Sequence, residues 1–328
     1  MTVLITGGTG FIGARLALCC LESGERVRVL ALANDAAQER HRALIEARGG
    51  EIVLGSVTDR AVVQDAVDGA TAVFHLAAAQ HEMNVPDQRF WDVNLEGTRN
   101  LLEAAAAANV ESFIHGSTIG VYGAAEGQID EATPMRPDNI YGVTKAEGEK
   151  LALTYVPRVP LTVIRIAEVY GPGDRRLLKL FKAIKKGTFV MIGRGDNRHQ
   201  PIYVDDLVEG LRVARSSPQA VGKVFVLAGP ESVTTTQMVE AIAEAMGKRR
   251  RVFRVPMWPF LATALVLEGT LRPLGIQPPL HRRRMDFFRK DLWFSSERAK
   301  ADLGFAAATD FRRGATLTAT WYAEHGEL

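Results

Sequence analysis

The sequence predicts an α/β fold, a doubly wound parallel sheet with helices on both faces, accompanied by a smaller, discontinuous α/β domain. Two observations predict it: short β-rich runs alternate with longer helical patterns, and a glycine-rich turn joins the first run to the first helix. The length of 328 residues suits one large or two modest domains. With 47% hydrophobic and 24% charged residues, the composition excludes a disordered, collagen-like or coiled-coil chain.

Seven strands are predicted, at 3–6, 26–30, 51–54, 72–76, 112–117, 162–166 and 223–227. Helical patterns between them include 12–23 and 97–108, the latter with an alanine run that favours a closely packed helix. Residues 175–198 form a basic helix and a glycine-rich turn, where the chain leaves the sheet. The first domain is therefore predicted at 1–171 plus about 201–228, and the second at about 172–200 plus 229–328.

The charge balance and the cysteines narrow the range of partners. A net charge of +2 argues against a nucleic-acid partner. Cys19 and Cys20 are adjacent in an apolar run, where a disulfide would be strained, so we expect buried thiols and no metal site.

No secretion signal precedes the first strand, and the apolar stretch 257–267 is shorter than the roughly 20 residues that cross a bilayer. We expect a cytoplasmic protein without a transmembrane segment.

Gly7, Gly10 and Gly13 stand between the first predicted strand and the first predicted helix. The first glycine allows a sharp turn, the second lets backbone N–H groups approach a pyrophosphate, and the third lets the helix pack close to the strand. The helix N-terminus adds a dipole that favours an anion. A tight turn that binds nothing has the same spacing, but its place at the start of an alternating pattern favours a dinucleotide-binding Rossmann domain, which leaves substrate binding to the second domain.

The choice between NAD and NADP depends on the end of the second strand, where an acidic residue favours NAD and an arginine favours NADP. Asp35 lies late for a contact with the ribose, and Arg40 and Arg42 lie later still. NAD is the preferred cofactor, and NADP stays an alternative.

Tyr141 and Lys145 are four residues apart, so they share one face of any helix that contains both. A nearby ammonium lowers the pKa of a tyrosine from its reference of about 10 toward working pH. Such a tyrosine can exchange a proton with a carbinol oxygen while a nicotinamide exchanges hydride. The same spacing also occurs by chance on surface helices.

Ser117 and Thr118 place hydroxyl groups where the fifth parallel strand ends. Ligands of such sheets bind beyond the carboxyl ends of the strands, so either hydroxyl is a candidate to bond the reacting oxygen. The alternative is a polar strand end that caps its own backbone.

The glycine turn, the Ser-Thr strand end and the Tyr/Lys pair occur in an order that resembles the extended short-chain dehydrogenase/reductase family. This family includes nucleotide-sugar epimerases and dehydratases and relatives of 3β-hydroxysteroid dehydrogenases. The resemblance covers nearly the whole chain. Supporting segments are 74–78, 94–98, 165–173, 203–206 and 299–304.

The resemblance implies roles for individual residues. Tyr141 resembles the catalytic acid/base, Lys145 the residue that tunes it and holds the nicotinamide ribose, and Thr118 the residue that contacts the reacting oxygen. Ser117 is the neighbouring candidate for both cofactor and substrate. The other implied cofactor-binding residues are Gly7, Thr9, Gly10, Phe11, Ile12, Gly13, Ser56, Val57, Leu76, Ala77, Ala78 and Asn94. Ser56 stands where the family commonly has an aspartate, which puts the usual adenine contact in doubt.

Four residues are assigned to substrate binding. Nucleotide-sugar members usually carry an asparagine where this chain has Glu168, and an Arg-Asp pair near the position of His199. A carboxylate beside a diphosphate is repulsive, so both departures weaken the sugar-nucleotide interpretation. Arg283 and Arg284, in contrast, resemble a late Arg-Arg segment that clamps a diphosphate, although a solvated basic face has the same composition.

The function predicted first is that of an NAD(P)-dependent epimerase or oxidoreductase acting on a nucleoside-diphosphate sugar. The alternative is a 3β-hydroxysteroid- or lipid-type dehydrogenase, for which the apolar segment 255–280 forms either a membrane-touching lid or ordinary core. A cofactor-binding sensor without turnover is the third interpretation. The resemblance also implies a homodimer through 97–108 and the helix that bears Tyr141.

Overall fold

The computed structural model describes residues 1–32, 35–80, 85–123, 125–248, 253–271 and 282–328. Within them, seven parallel strands form the central sheet. They are β1 Thr2–Thr6, β2 Arg26–Ala31, β3 Glu51–Leu54, β4 Ala72–His75, β5 Ser112–Thr118, β6 Leu161–Ile166 and β7 Val224–Leu227. Their order across the sheet is β7-β6-β5-β4-β1-β2-β3. Each predicted strand is present, and each boundary lies within one residue of its predicted position.

Helices occupy most of the remaining described chain. They are α1 Phe11–Glu22, α2 Ala36–Ala47, α3 Arg60–Val67, α4 Gln88–Trp91, α5 Gly97–Ala107, α6 Ile140–Thr154, α7 Arg175–Lys186, α8 Val204–Ser216, α9 Thr235–Ala245, α10 Trp258–Leu271, α11 Arg282–Arg289, α12 Glu297–Leu303 and α13 Phe311–Glu324. A π-helical turn, Asp92–Glu96, leads into α5, and short 3-10 turns span Ile119–Tyr122 and Pro218–Ala220.

Four pairs of short strands lie outside the main sheet in the described residues. Gly127–Ile129 pairs with Leu292–Phe294, Val169–Tyr170 with Ile202–Tyr203, Met191–Ile192 with Arg254–Val255, and Arg198–His199 with Val233–Thr234.

The central sheet is buried on both faces, as expected for parallel strands that are covered by helices. Successive residues of β1 point to opposite faces, so Val3 and Ile5 belong to one apolar cluster and Leu4 to the other. A third cluster, which includes Tyr170, Phe181 and Tyr322, lies apart from these two. Apart from Tyr170 and Tyr203, the buried members of this cluster fall in the predicted second domain, whose limits stay a prediction.

The strand order reverses direction between β1 and β4, which creates a crevice at the carboxyl edge of the sheet. The glycine turn follows β1 and residues 76–78 follow β4 at this edge. Thr118 ends β5, and Glu168 comes two residues after β6. The topology therefore brings residues from four separate segments to one side of the sheet.

Helix α10 covers part of the apolar segment 255–280. Trp258, Leu265 and Val266 are more than half exposed, whereas Ala264 is fully buried. Residues 272–281 lie outside the described residues, and both interpretations of the segment stay predictions. No helix in the described ranges has the length and apolar character needed to span a membrane.

Candidate active site

The glycine turn packs directly against the chain that follows β4. Gly7 adopts φ +70°, and a Cβ on it would lie 2.9 Å from the backbone of Ala77. A Cβ on Gly13 would lie 2.3 Å from the carbonyl oxygen of Gly7, closer than real contacts allow. Only glycine fits at these two positions, because the turn, the first helix and the end of β4 meet without space for a side chain.

The N-terminus of α1 is open to an anion. Gly10 caps the helix without a side chain, and the first turn, which contains Phe11 and Ile12, carries no acidic residue. The first backbone N–H groups of a helix lack partners within the helix, and its dipole favours negative charge there. Thr9 steadies the turn, since its Oγ1 donates to the carbonyl oxygen of Leu32 at 3.3 Å. These residues form a cradle suited to a pyrophosphate.

The predicted cofactor wall is held by hydrogen bonds to β1. Leu76 N donates to the carbonyl oxygen of Thr6 at 3.2 Å, and Ala77 N donates to the Thr6 hydroxyl at 3.2 Å. These bonds extend the sheet past the end of β4 and keep residues 76–78 beside the glycine turn. The predicted wall and the pyrophosphate cradle are therefore joined through β1.

Asn94 is fully buried in the π-helical turn, and its amide group supports this wall. Its Oδ1 accepts from Ala79 N at 2.9 Å, and its Nδ2 donates to Ala79 O at 3.2 Å and to Thr144 Oγ1 at 3.0 Å. Both amide hydrogens are used in these bonds. Asn94 therefore connects the predicted cofactor wall to α6, the helix that bears Tyr141.

The adenosine end of the predicted cofactor site is less complete. Asp35 caps α2, and hydrogen bonds from Gln38 N and Ala37 N hold the pKa of its carboxyl below the ordinary value. Ser56 shares a 2.7 Å hydrogen bond with Thr58, and Val57 is buried against α5. Residues 33–34, between β2 and Asp35, lie outside the described residues.

Thr118 and Tyr141 converge on Gly120. Asn139 caps α6 by accepting from Gly142 N at 3.1 Å, which places Tyr141 in the first turn of the helix. A Cβ built on Gly120 would lie 3.4 Å from Thr118 Oγ1 and 3.7 Å from Tyr141 Cε1. Thr118 Oγ1 accepts from Gly120 N at 3.0 Å, and a hydroxyl that accepts keeps its own proton to donate.

Lys145 reaches the same strand end from the next turn of α6. Its side chain is buried, and Nζ donates to the carbonyl oxygen of Gly116 at 2.6 Å. Burial lowers the pKa of Lys145 to about 8, although the charge of Glu149 works in the opposite direction. The structure thus brings together the three residues that the sequence predicted as catalytic.

Ser117 belongs to a buried polar network. Its hydroxyl donates to Glu149 Oε2 at 2.6 Å, and Arg165 Nη2 lies 2.6 Å from Glu149 Oε1. Arg165 Nη1 also donates to the Tyr122 hydroxyl at 2.7 Å. The sequence analysis missed Glu149, although its position four residues after Lys145, on the same helix face, was a usable signal.

Glu168 and His199 form a pair at the carboxyl edge of the sheet. Ile166 lies opposite Thr118 in the strand register, and Glu168 follows two residues later. Its Oε2 lies 3.2 Å from Nδ1 of the buried His199, while half of the Glu168 side chain is exposed. Arg283 and Arg284 lie in α11, and their side chains are outside the described part of the structure.

A cavity of about 800 Å³ opens in the predicted second domain, and its lining includes Asn197, a neighbour of His199. Its size is ordinary for a ligand site. Its lining mixes cations with apolar side chains and includes Arg254, Met257, Phe288 and Arg289.

Residues 3–228 match the model of the NAD dependent epimerase/dehydratase family. The chain belongs to this family. Its similarity to the extended short-chain dehydrogenase/reductases is therefore confirmed, as is the doubly wound fold, and the chain is an NAD-dependent enzyme.

Relatives in the NAD-dependent epimerase/dehydratase family differ in their reactions. A 3 beta-hydroxysteroid dehydrogenase/Delta 5-->4-isomerase of Mycobacterium tuberculosis is 31% identical, over 92% of this chain and 85% of its own length. A dTDP-glucose 4,6-dehydratase of Streptomyces niveus is 32% identical, over 75% of this chain and 78% of its own length. The crystal structure of UDP-glucuronic acid 4-epimerase from Bacillus cereus in complex with NAD has a TM-score of 0.79 and 22% identity, covers 99% of both chains, and shows the shared fold.

Proposed function

We propose that the protein is an NAD-dependent oxidoreductase that moves hydride between the nicotinamide and a carbinol or ketone carbon, with Tyr141 as the acid/base. The observation that supports this proposal is the convergence of Thr118, Tyr141 and Lys145 at the end of β5. The pyrophosphate cradle and the cofactor wall lie at the same edge of the sheet. When bound there, NAD supplies the hydride acceptor or donor.

In the oxidative direction, Tyr141 takes the proton of the carbinol oxygen as the carbon loses hydride. The ammonium of Lys145, held by Gly116 O, stabilises the tyrosinate by its positive charge. Thr118 donates its hydroxyl proton in a hydrogen bond to the reacting oxygen and so fixes the position of the carbinol. In the reductive direction, Tyr141 returns the proton to the oxygen as the ketone carbon gains hydride.

The variant Tyr141→Phe tests this proposal. We expect kcat to fall roughly 10²- to 10⁴-fold, because the proton transfer is lost, while NAD binding measured by calorimetry is unchanged. Sugar nucleotides and 3β-hydroxysteroids serve as substrate probes, with NADH absorbance as the signal. Tyr155→Phe, just past the C-terminal end of the same helix, is the matched control and keeps full activity. Wild-type activity in Tyr141→Phe would contradict the acid/base role, whereas NAD binding without turnover of any probe by the wild type would favour a cofactor-binding sensor.

Two substrate classes are proposed. A nucleoside-diphosphate sugar agrees with the dehydratase relative and with the arginine pair predicted to clamp a diphosphate. A hydroxysteroid- or lipid-type alcohol agrees with the hydroxysteroid dehydrogenase relative, whose match extends over more of this chain. The apolar part of the cavity lining, which includes Met257 and Phe288, also fits the second class.

We also propose a homodimer formed through α5 and α6 and a location in the cytoplasm, both on the sequence analysis alone. Light scattering of the purified protein tests the first, and microscopy of a tagged chain tests the second.

A further inference from the structure

The pair of Glu168 and His199 is surrounded by groups whose hydrogen atoms can be counted. His199 lies under the ring of Phe287, at a centroid distance of 4.9 Å. Its Nδ1 faces Glu168 Oε2 at 3.2 Å, and its Nε2 faces Thr235 Oγ1 at 3.1 Å and Asn197 Nδ2 at 3.2 Å. The protonation of the ring follows from which of these neighbours has a hydrogen left to donate.

The amide of Asn197 has no hydrogen left to donate to His199. Its Nδ2 donates to the carbonyl oxygens of Phe287, at 3.0 Å, and of Lys290, at 3.1 Å, which uses both hydrogens. The opposite orientation of the amide would place Oδ1 against two carbonyl oxygens, so the assignment of nitrogen and oxygen is determined by these neighbours. Asn197 therefore cannot donate to His199.

The hydroxyl of Thr235 also has no hydrogen left to donate to His199. Its Oγ1 lies 2.7 Å from Asn197 Oδ1, an acceptor, and gives its single hydrogen to that oxygen. Toward His199, Thr235 can therefore only accept. It follows that Nε2 of His199 carries a hydrogen.

A second proton is needed between His199 and Glu168. If the ring carried only the Nε2 hydrogen, the lone pair of Nδ1 would face a carboxylate oxygen at 3.2 Å, which is repulsive. A proton on this contact turns the repulsion into a charge-assisted hydrogen bond. The Glu168–His199 pair therefore holds one proton in addition to that on Nε2.

The charges around the pair favour an imidazolium and a carboxylate. Burial acts to lower the pKa of His199, but the charge and hydrogen bond of Glu168 outweigh it and raise that pKa above its ordinary value, with help from the backbone of Phe287 and the charge of Asp291. Burial acts to raise the pKa of Glu168, but His199, with help from Arg176, leaves it below its ordinary value. Both N–H groups of the imidazolium are used inside the protein, so the half-exposed carboxylate is the accessible group of the pair.

We propose that Glu168 and His199 share a bound proton at the carboxyl edge of the sheet and recognise a hydrogen-bond-donating, neutral or cationic group of the substrate. The inference deepens the proposed function and depends on it, because it assigns part of the substrate of the same cleft. An ionised carboxylate accepts bonds from hydroxyl or ammonium groups and repels phosphate oxygens. The pair therefore disfavours a nucleoside diphosphate in this part of the cleft.

The first test detects the protonation state of the His199 ring directly. Nitrogen NMR of the protein with labelled histidine should show His199 doubly protonated at pH 7. In Glu168→Gln the ring should be neutral and carry its hydrogen on Nε2. His75 and His115, which are buried and neutral, are internal references. A neutral His199 in the wild-type protein at pH 7 would overturn the proposal even if the variant failed to fold.

The second test measures how strongly Glu168 disfavours a nucleoside diphosphate. The affinity of the NAD-loaded protein for UDP is measured by calorimetry. Glu168→Gln removes the negative charge, so it should bind UDP at least tenfold more tightly than the wild type. Glu111→Gln is the control, because Glu111 is exposed just before β5 and therefore at the opposite edge of the sheet; its affinity should match the wild type. Equal UDP affinity of the wild type and Glu168→Gln, or undetectable binding in both, would contradict the proposed discrimination.

Neither measurement requires turnover. A failure of the Glu168–His199 proposal can therefore be told apart from a failure of the acid/base role of Tyr141, which depends on the rate of hydride transfer alone.

Discussion

Lys145 donates a 2.6 Å hydrogen bond from its buried Nζ to the backbone carbonyl oxygen of Gly116, at the end of β5. This bond anchors an ammonium group one helical turn from Tyr141 and close to the position predicted for the nicotinamide. Burying that charge is unfavourable for folding, so the residue that we propose to support catalysis also lowers stability.

We expect Lys145→Met to stabilise the protein and inactivate it. Because the pKa of Lys145 is lowered to about 8, the unfolded chain binds its proton more strongly than the folded one. The apolar variant should raise the free energy of unfolding at pH 7 by about 2 kcal/mol, measured by urea denaturation, and lower kcat by at least about 100-fold. The wild type should recover part of the difference as the pH rises from 8 toward the unfolded pKa of about 10.4.

The exposed Lys150, on the same helix, is the control for this substitution. Lys150→Met should change stability by less than about 0.5 kcal/mol and leave kcat unchanged. A loss of stability in Lys145→Met at pH 7 would show that the Gly116 bond outweighs the cost of burial.

Gly13→Ala should damage the pyrophosphate cradle. The new Cβ would lie 2.3 Å from Gly7 O and 2.7 Å from Gly8 Cα, both backbone atoms, so the turn must move. We expect the free energy of unfolding to fall by about 2 kcal/mol and the Kd for NAD, measured by calorimetry, to rise at least about tenfold. In Gly269→Ala the Cβ meets nothing within 4 Å, and helix propensity predicts a gain of about 0.5 to 1 kcal/mol with unchanged NAD affinity. Equal effects of the two substitutions would refute this account of the turn.

Asn94→Ala should loosen the connection between the cofactor wall and α6. It removes the bonds to Ala79 N, Ala79 O and Thr144 Oγ1 and leaves buried groups without partners. We expect a loss of about 3 kcal/mol in the free energy of unfolding, together with weaker NAD binding. Asn100→Ala, which removes a single bond to Val57 O, should cost about 1 kcal/mol. The supporting role of Asn94 would be wrong if the substitution left NAD affinity at the wild-type value.

Acid should destabilise the protein before its carboxylates titrate. Burial, reinforced by Lys145, lowers the pKa of His75 to about 3 and holds that of His115 well below its ordinary value. The unfolded chain therefore takes up two protons below about pH 6.5 that the folded protein does not bind. Between pH 6.5 and 5 the free energy of unfolding should fall with a limiting slope of about 2.7 kcal/mol per pH unit, in urea titrations at several pH values.

His115→Leu should halve this acid dependence. Among the described residues neither ring nitrogen of His115 has a hydrogen-bond partner, so the variant should also gain about 1 kcal/mol at neutral pH. An acid slope equal to that of the wild type would exclude His115 as one of the two groups.

The strands were predictable because their signals are local. β-rich runs and the glycines that follow them mark each strand, and the seven predicted ranges agree with the structure to within one residue at each end. The proximity of Tyr141 to Lys145 was predictable for the same reason, since a spacing of four residues places both on one face of a helix. The supporting position of Asn94 was not predictable, because its partners Ala79 and Thr144 lie 15 and 50 residues away along the chain.

The sequence by itself determined the fold class, the glycine turn, the family and the identity of three candidate catalytic residues. These depend on periodicity, on backbone geometry and on short spacings, all of which involve residues that are close in the sequence. The tertiary structure decided which polar groups share hydrogen atoms: Lys145 with Gly116 across 29 residues, Glu168 with His199 across 31, and His199 with Thr235 across 36. Burial makes each of these pairings strong, and burial depends on how distant segments pack together, which no local pattern contains.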